Sequence, residues 1–257
     1  MALEIHDRQR PQGGLVRTLL LARPEKRNAL DVAHLSQLGT ALDAAGREPN
    51  VRVVVVAAQG KSFCAGYDLS QPFEAEAPDA LVVKTMAAVR SFPRPTIARV
   101  EGAAFGAGLE LAISCDFRLA TCGASFCLPP AKLGIAYAPE GLARLIALVG
   151  VARAKSLAFT GRVVDAGEAK EMNLVDELLE GEAAMTARLS GLGDQLADVA
   201  PNAVALMKRT FAALEPSLSA AERAVLESER IALFGSEDAA EGLAAFAARR
   251  PPLFRGR

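Results

Sequence analysis

Three features of this 257-residue chain argue for an α/β fold: short Val- and Leu-rich runs without polar alternation, helical periodicity between those runs, and a last third given over to alanine-rich helical patterns. The runs LVRTLLL at 15–21 and VRVVVVAA at 51–58 read as strands buried on both faces. Between them, 28–46 reads as a helix with Asn28 and Asp31 as cap candidates, Leu30, Leu35, Leu38 and Leu42 at helical spacing, and Gly46 at its end. A polar stretch at 71–78 leads to a helix at 79–91, the strand TIARVEG, a buried helix at 108–115 and the strand DFRLAT. Beyond 139 only LVDEL reads as strand, and helical patterns occupy 151–158, 181–199, 202–214, 217–234 and 237–248. The simplest partition is a strand-rich core over 1–195 with a helical region over 196–257, without a tandem repeat or a low-complexity linker.

Composition excludes several function classes. An apolar content of 51% suffices for a sizeable core, and 30 acidic against 29 basic residues leave a net charge of −1, so no overall field gathers nucleic acid. Cys64, Cys115, Cys122 and Cys127 lack Cys-x-x-Cys spacing and read as reduced thiols of a cytoplasmic protein, with no metal bound. The apolar runs are broken well before the roughly 18 residues of a membrane span, and the first residues carry no leader pattern, so no membrane role is expected. His6 and His34 are the only histidines, and both read as solvated, His34 on the polar side of the first helix. That leaves nothing for a Ser-His dyad or a histidine zinc site. Cys64 has no neighbouring base and reads as a small packed hydrophobe.

Two glycine-containing turns each follow a strand, GKSFCAGYDL at 60–69 and GAAFGAGLE at 102–110. Small residues at a strand end let a ligand oxygen approach backbone N–H groups, so one donor from each turn would make an oxyanion hole; each turn taken alone reads equally well as an ordinary tight turn. A dinucleotide site fits poorly: the second turn lacks the third glycine, and Asp116 follows too soon for a ribose contact. Glu110 stands out as a carboxylate inside the apolar run AFGAGLELAIS. Burial would raise its pKa toward the range useful for proton transfer, while the helix N-terminus opposes that by about 0.3–1 kcal/mol. A charge complementing the helix dipole on a wetted edge explains it as well.

The segments RPEKRNAL (23–30), GKSFCAGYDL, VEGAAFGAGLELAISCDFRLA (100–120) and FCLPPAKLG (126–134), with ARAKSLAFTGRVVDAGEAKEMNLVDEL and EGLAAFAARRPPLFRGR, together resemble the crotonase, or enoyl-CoA hydratase/isomerase, superfamily over nearly the whole chain. The resemblance implies a spiral of ββα units, a C-terminal helical trimerisation region, a homotrimer or hexamer, and an acyl-CoA thioester substrate whose enolate oxygen is held by two backbone amides. By position those amides are Tyr67 and Ala107. Coenzyme A is then part of the substrate and no separate cofactor is expected.

Glu110 aligns with the first of two glutamates used by family hydratases, and Pro130 stands where the second would be. Proline offers neither a proton nor a side-chain oxygen, so conventional hydration, with one group activating water and another delivering the α-proton, loses a partner. Tyr137, in LGIAYAPEG, resembles the tyrosine of methylmalonyl-CoA decarboxylase-like members, which also have proline at this place; packing with its hydroxyl in water is the plainer reading of the same residue. Decarboxylation needs no base for an α-proton, because loss of CO2 itself generates the enolate. The readings carried forward are an enoyl-CoA hydratase or isomerase with Glu110 as sole acid/base, an acyl-CoA decarboxylase with Tyr137 beside it, and a non-catalytic or RNA-binding homologue, which the near-neutral charge disfavours. For CoA the resemblance points to Arg27, Ala29, Ala65, Gly66, Asp68, Leu69, Phe246 and Arg249, the last two reaching the CoA of a neighbouring subunit. Leu128, Pro130 and Leu133 are acyl-pocket candidates, with 71–90 forming one wall.

Overall fold

A computed structural model describes residues 3–70, 77–214 and 218–256 of the chain. β1 (Leu3–Gln9) and β2 (Leu15–Leu21) form an antiparallel pair, and α1 (Val32–Arg47) then crosses to β3 (Val51–Ala58). The next stretch holds β4 (Ser62–Cys64), α2 (Ala77–Ser91), β5 (Thr96–Val100), β6 (Ala103–Phe105), α3 (Ala107–Ser114), β7 (Phe117–Thr121) and β8 (Ser125–Cys127). Then come α4 (Pro139–Thr160), β9 (Val163–Asp165), α5 (Ala166–Glu171), β10 (Glu177–Leu179), α6 (Gly181–Ala197), α7 (Pro201–Leu214), α8 (Ala220–Phe234) and α9 (Glu237–Ala247).

The strands divide into two sheets, ordered β1-β2-β3-β5-β7-β10 and β4-β6-β8-β9. From β2 onward the larger sheet is parallel, as are β4, β6 and β8 in the smaller one. Each consecutive pair, β3/β4, β5/β6 and β7/β8, places one strand in each sheet. Since β3/β4 and β5/β6 are each followed by a helix, the chain advances as a spiral of ββα turns, as the resemblance implied. The fold class is therefore the mixed α/β arrangement expected.

β3 is buried on both faces. Val54 and Val56 face the main core with Leu35, Leu38 and Leu109, whereas Val53, Val55 and Ala57 face a second layer closed by Met185 and Leu192 of α6. A register irregularity at the start of the β2–β3 pairing puts Val51 in the main core as well.

Several expectations need correction. α1 begins at Val32, not at 28, because Arg27 and Asn28 occupy the left-handed region (φ 53° and 55°). Asn28 is held there by its own side chain: Oδ1 accepts from the Arg23 amide at 2.9 Å, and Nδ2 donates to the Gln59 and Ser62 carbonyls at 2.8 Å each. His34 is not solvated; it is 8% exposed, with Nδ1 2.5 Å from the Asp31 carboxylate that caps α1. The strand read from DFRLAT is β7, and LVDEL contributes only its end to β10. Most of the polar stretch at 71–78 lies outside the described residues. Among the described residues no helix is long and apolar enough to cross a membrane, and no cluster of His, Cys, Asp and Glu could hold a metal.

Candidate active site

The two glycine turns meet. Gly66 (φ 100°) ends one and Gly106 (φ 52°) the other, and a Cβ built on Gly66 would lie 2.9 Å from the Phe105 carbonyl and 3.5 Å from the Ala107 nitrogen. Only glycine admits that approach. Two residues further, Gly108 lies so close to β4 that an added Cβ would sit 2.3 Å from the Cys64 carbonyl. α3 is thereby pressed onto β4, and its N-terminus is delivered to the junction of the turns.

The first turn is held from behind. Ala65 donates to the Arg27 carbonyl at 3.0 Å, Leu30 to the Gly66 carbonyl at 2.8 Å, and Asp68 to the Leu30 carbonyl at 2.8 Å. In a parallel pairing of this kind the residue opposite Leu30, which is Tyr67, turns its own N–H and C=O away from Leu30. Ala107 opens α3, and among the described residues no acceptor takes its N–H, as is usual for the first turn of a helix.

Both turns border a cavity of about 480 Å³. Glu110 reaches its wall from α3 while being only 3% exposed. Its Oε1 accepts from the Arg144 guanidinium of α4 at 2.5 Å, and Arg144 is itself 7% exposed. The isolated buried carboxylate envisaged from the sequence is therefore half of an ion pair. Arg144 escaped the sequence reading because an arginine in a helix is ordinarily solvated; the buried stripe of α4, Gly141, Arg144 and Leu145, would have flagged it through its i, i+3, i+4 spacing.

Tyr137 lies just before α4, is half-buried and borders the cavity. Its hydroxyl donates to the Gly106 carbonyl at 3.1 Å and stands within hydrogen-bonding reach of Glu110. Burial, followed by the adjacent Glu110 charge, holds the phenol well above 10, so it stays protonated at any physiological pH. Gly141 makes the arrangement possible: a Cβ there would lie 2.5 Å from the Tyr137 ring and 3.0 Å from Glu110 Oε1. Among the described residues Glu110 is the only carboxylate on the cavity wall. Pro130 and Leu133, in the 3-10 turn Pro130–Leu133, line the cavity with Ile135.

Of the residues read from the sequence, Arg27, Ala65, Gly66, Tyr67, Leu69, Ala107, Glu110, Pro130, Leu133, Tyr137 and Phe246 border this cavity. Ala29 and Asp68 are buried behind the first turn, and Leu128, 1% exposed, belongs to the core. Arg249 is exposed and off the cavity, whereas Arg250 borders it and pairs with Glu241 at 2.6 Å. Phe246 and Arg250 border the cavity of their own chain, because α9 packs on the 3-10 turn: a Cβ on Gly242 would sit 2.4 Å from the Leu133 carbonyl. Lys132, which the sequence did not single out, also lines the cavity and donates to the Gly161 carbonyl at 2.6 Å.

Cys64 is not a nucleophile. Burial pushes its thiol up to about 12 against the weaker pull of the Gly66 amide. Iodoacetamide at about pH 8 should label exposed Cys122 in the native protein and leave Cys64 unmodified, read by peptide mass.

The enoyl-CoA hydratase/isomerase family matches this chain over residues 12–257. The chain is 35% identical to a carnitinyl-CoA dehydratase of Citrobacter koseri over 95% of its length and 96% of the relative's. It is also 35% identical to a 2,3-dehydroadipyl-CoA hydratase of Escherichia coli, covering 93% and 94%. Among solved structures, a methylmalonyl-CoA decarboxylase in complex with 2-nitronate-propionyl-CoA superposes with a TM-score of 0.90 at 26% identity, covering 100% of this chain and 99% of that one. An enoyl-CoA hydratase of Bacillus anthracis gives 0.77 at 31% identity with both chains fully covered.

Proposed function

The chain belongs to the enoyl-CoA hydratase/isomerase family and is an acyl-CoA-processing enzyme, and from that premise we propose that it decarboxylates an α-carboxyacyl-CoA. On this reading the thioester oxygen sits between the Tyr67 and Ala107 amides, each contributing about 3–4 kcal/mol to the enolate-like transition state. The electron pair of the breaking Cα–CO2 bond moves onto that oxygen, and CO2 leaves. The enolate then takes a proton at Cα from the Tyr137 hydroxyl, which water restores. The observation that carries this reading is the single carboxylate on the described wall, already engaged by Arg144, while Pro130, also on the wall, stands where hydration would want a second acid. The 2-nitronate ligand of the superposed decarboxylase is an anionic, planar group at the same carbon and fits the same logic.

Hydration of an enoyl-CoA, or the reverse dehydration, is the second reading. The relatives at 35% identity carry hydratase and dehydratase names. Purified protein incubated with methylmalonyl-CoA should release CO2, and with crotonyl-CoA should show little hydration. Rapid hydration without CO2 release would overturn the decarboxylase reading. Tyr137→Phe should slow turnover about 10²-fold, the lower end of what a positioned proton donor contributes. The wild-type rate should show no alkaline limb from this residue up to pH 10, since its phenol titrates higher.

Coenzyme A enters as part of the substrate, so no resident cofactor is needed. Arg27, Lys132 and Arg250, the cations on the cavity wall, are the proposed partners of its phosphates. A homotrimer or hexamer is proposed, since α7 has no buried residue and leaves Leu206, Met207, Phe211 and Leu214 exposed. Light scattering checks it. Four free cysteines suit a reducing compartment such as the cytoplasm.

A further inference from the structure

Arg23 does not touch the cavity, yet it sits where several restraints on the first turn converge. Its guanidinium is 19% exposed, and Nη1 lies 3.0 Å from Asp68 Oδ2, 3.2 Å from Asp31 Oδ2 and 3.4 Å from the Ala29 carbonyl. The Asp31 contact is an aligned hydrogen bond, whereas the Asp68 contact lies off the N–H direction and acts as a charge pair. The Arg23 backbone is closed onto Asn28 twice, through the Asn28 side chain and the Asn28 amide, each at 2.9 Å.

Asp68 follows Tyr67 directly and Asp31 caps α1, so one cation joins the turn to the helix that forms much of the main core. The second Asp68 oxygen accepts from the Ser70 amide at 3.1 Å and hydroxyl at 2.6 Å, which fixes the far side of the same turn. Burial pushes the Asp68 carboxyl up, but Ser70 with the charges of Arg23 and Lys26 outweighs it and leaves the group below its ordinary value, so a charge pair persists at neutral pH.

We infer that Arg23 is a positioning residue: bridging Asp31 and Asp68, it holds the Tyr67 amide aimed at the side of the turn where Ala107 stands. The inference rests on the proposed role of those two amides. A guanidinium bridging two carboxylates restrains direction better than an ammonium can, and about 1 Å of misdirection in a catalytic donor can cost roughly 10²-fold.

The test uses the full-length protein and propionyl-CoA carbon-13 labelled at the thioester carbonyl, which lacks an α-carboxylate to lose. Two hydrogen bonds to that oxygen lower the carbonyl stretching frequency in difference infrared spectra. Wild-type protein should show the lowered frequency. Arg23→Gln and Asp68→Asn should each lose most of it, bind propionyl-CoA within about twofold of wild type, and lower kcat about 10- to 100-fold with KM little changed. Arg23→Lys should recover part of the shift. A full shift and full kcat in both Arg23→Gln and Asp68→Asn overturns the inference and leaves the oxyanion reading standing. A wild-type spectrum without any shift overturns the oxyanion reading itself. Loss of propionyl-CoA binding with an unchanged melting temperature would make Arg23 a binding residue and also overturn the inference. Should Arg23→Gln fail to fold, Asp68→Asn carries the same readouts.

Discussion

Arg144→Met is expected to lower the free energy of unfolding by about 3 kcal/mol, the lower end of the 3–5 kcal/mol typical for breaking a buried ion pair on one side. The loss comes from what remains: a Glu110 carboxylate, 3% exposed, without the guanidinium that faced it at 2.5 Å. The lower end is chosen because Glu110 borders the cavity, where water can enter and solvate it in part. Combining Arg144→Met with Glu110→Gln should restore most of the stability, since an amide needs no counter-ion and methionine fills most of the arginine volume. Urea unfolding reads both, as a midpoint that falls in the single variant and recovers in the double variant at a constant slope. Equal midpoints would mean that Arg144 stabilises the fold by packing and not by answering Glu110.

The same pair bears on which substrate can be held. A lone carboxylate on the wall would repel an anionic group at the substrate's α-carbon, by several kcal/mol at 4 Å if the effective dielectric is near 20. With Arg144 behind it the Glu110 charge is largely answered, and an α-carboxylate can lie against Tyr137 and Pro130. Apolar surroundings then favour its departure as neutral CO2, because the charge moves from a poorly solvated carboxylate to an oxygen faced by backbone amides.

The elements legible in the sequence were those with enough length to show a period. β2 and β3 declared themselves through apolar runs buried on both faces, and α3 through a helix without a polar side. The smaller sheet was invisible because β4, β6, β8 and β9 have three residues each, too few for any alternation to register. β1 was missed for another reason: as an edge strand its apolar alternation stops at Leu3 and Ile5 and gives way to exposed Asp7, Arg8 and Gln9. At the site, Glu110 and the two glycine turns were readable since they stand out from their own segments, whereas Tyr67 and Ala107 came only from their positions in the family resemblance. Arg144 was not, for its role exists only once α4 is laid beside α3. His34 was misjudged although a signal was present, as it falls on the stripe of Leu38, Ala41 and Ala45 that α1 buries.

Ala107→Pro is expected to lower kcat about 10²- to 10³-fold, the usual consequence of losing one oxyanion donor, while leaving the fold intact. Ala107 is the first residue of α3 and its N–H serves no helical bond, so proline removes a donor that the secondary structure does not use. Proline is also suited to this position because its fixed φ matches a helix start, and Gly106 before it already lies outside the helical region at φ 52° and ψ −119°. A melting temperature within a few degrees of wild type establishes that the fold survives, and Ala107→Ser, which keeps the amide, should retain activity within about threefold. The carbon-13 label on bound propionyl-CoA then separates electrostatics from obstruction. If the proline ring merely blocks the cavity, binding is lost; if the amide was polarising the thioester, binding survives in good part and the carbonyl frequency rises toward its value in water. Undiminished kcat in the folded proline variant would leave the enolate without its second donor, and decarboxylation at this site would need a different source of charge stabilisation.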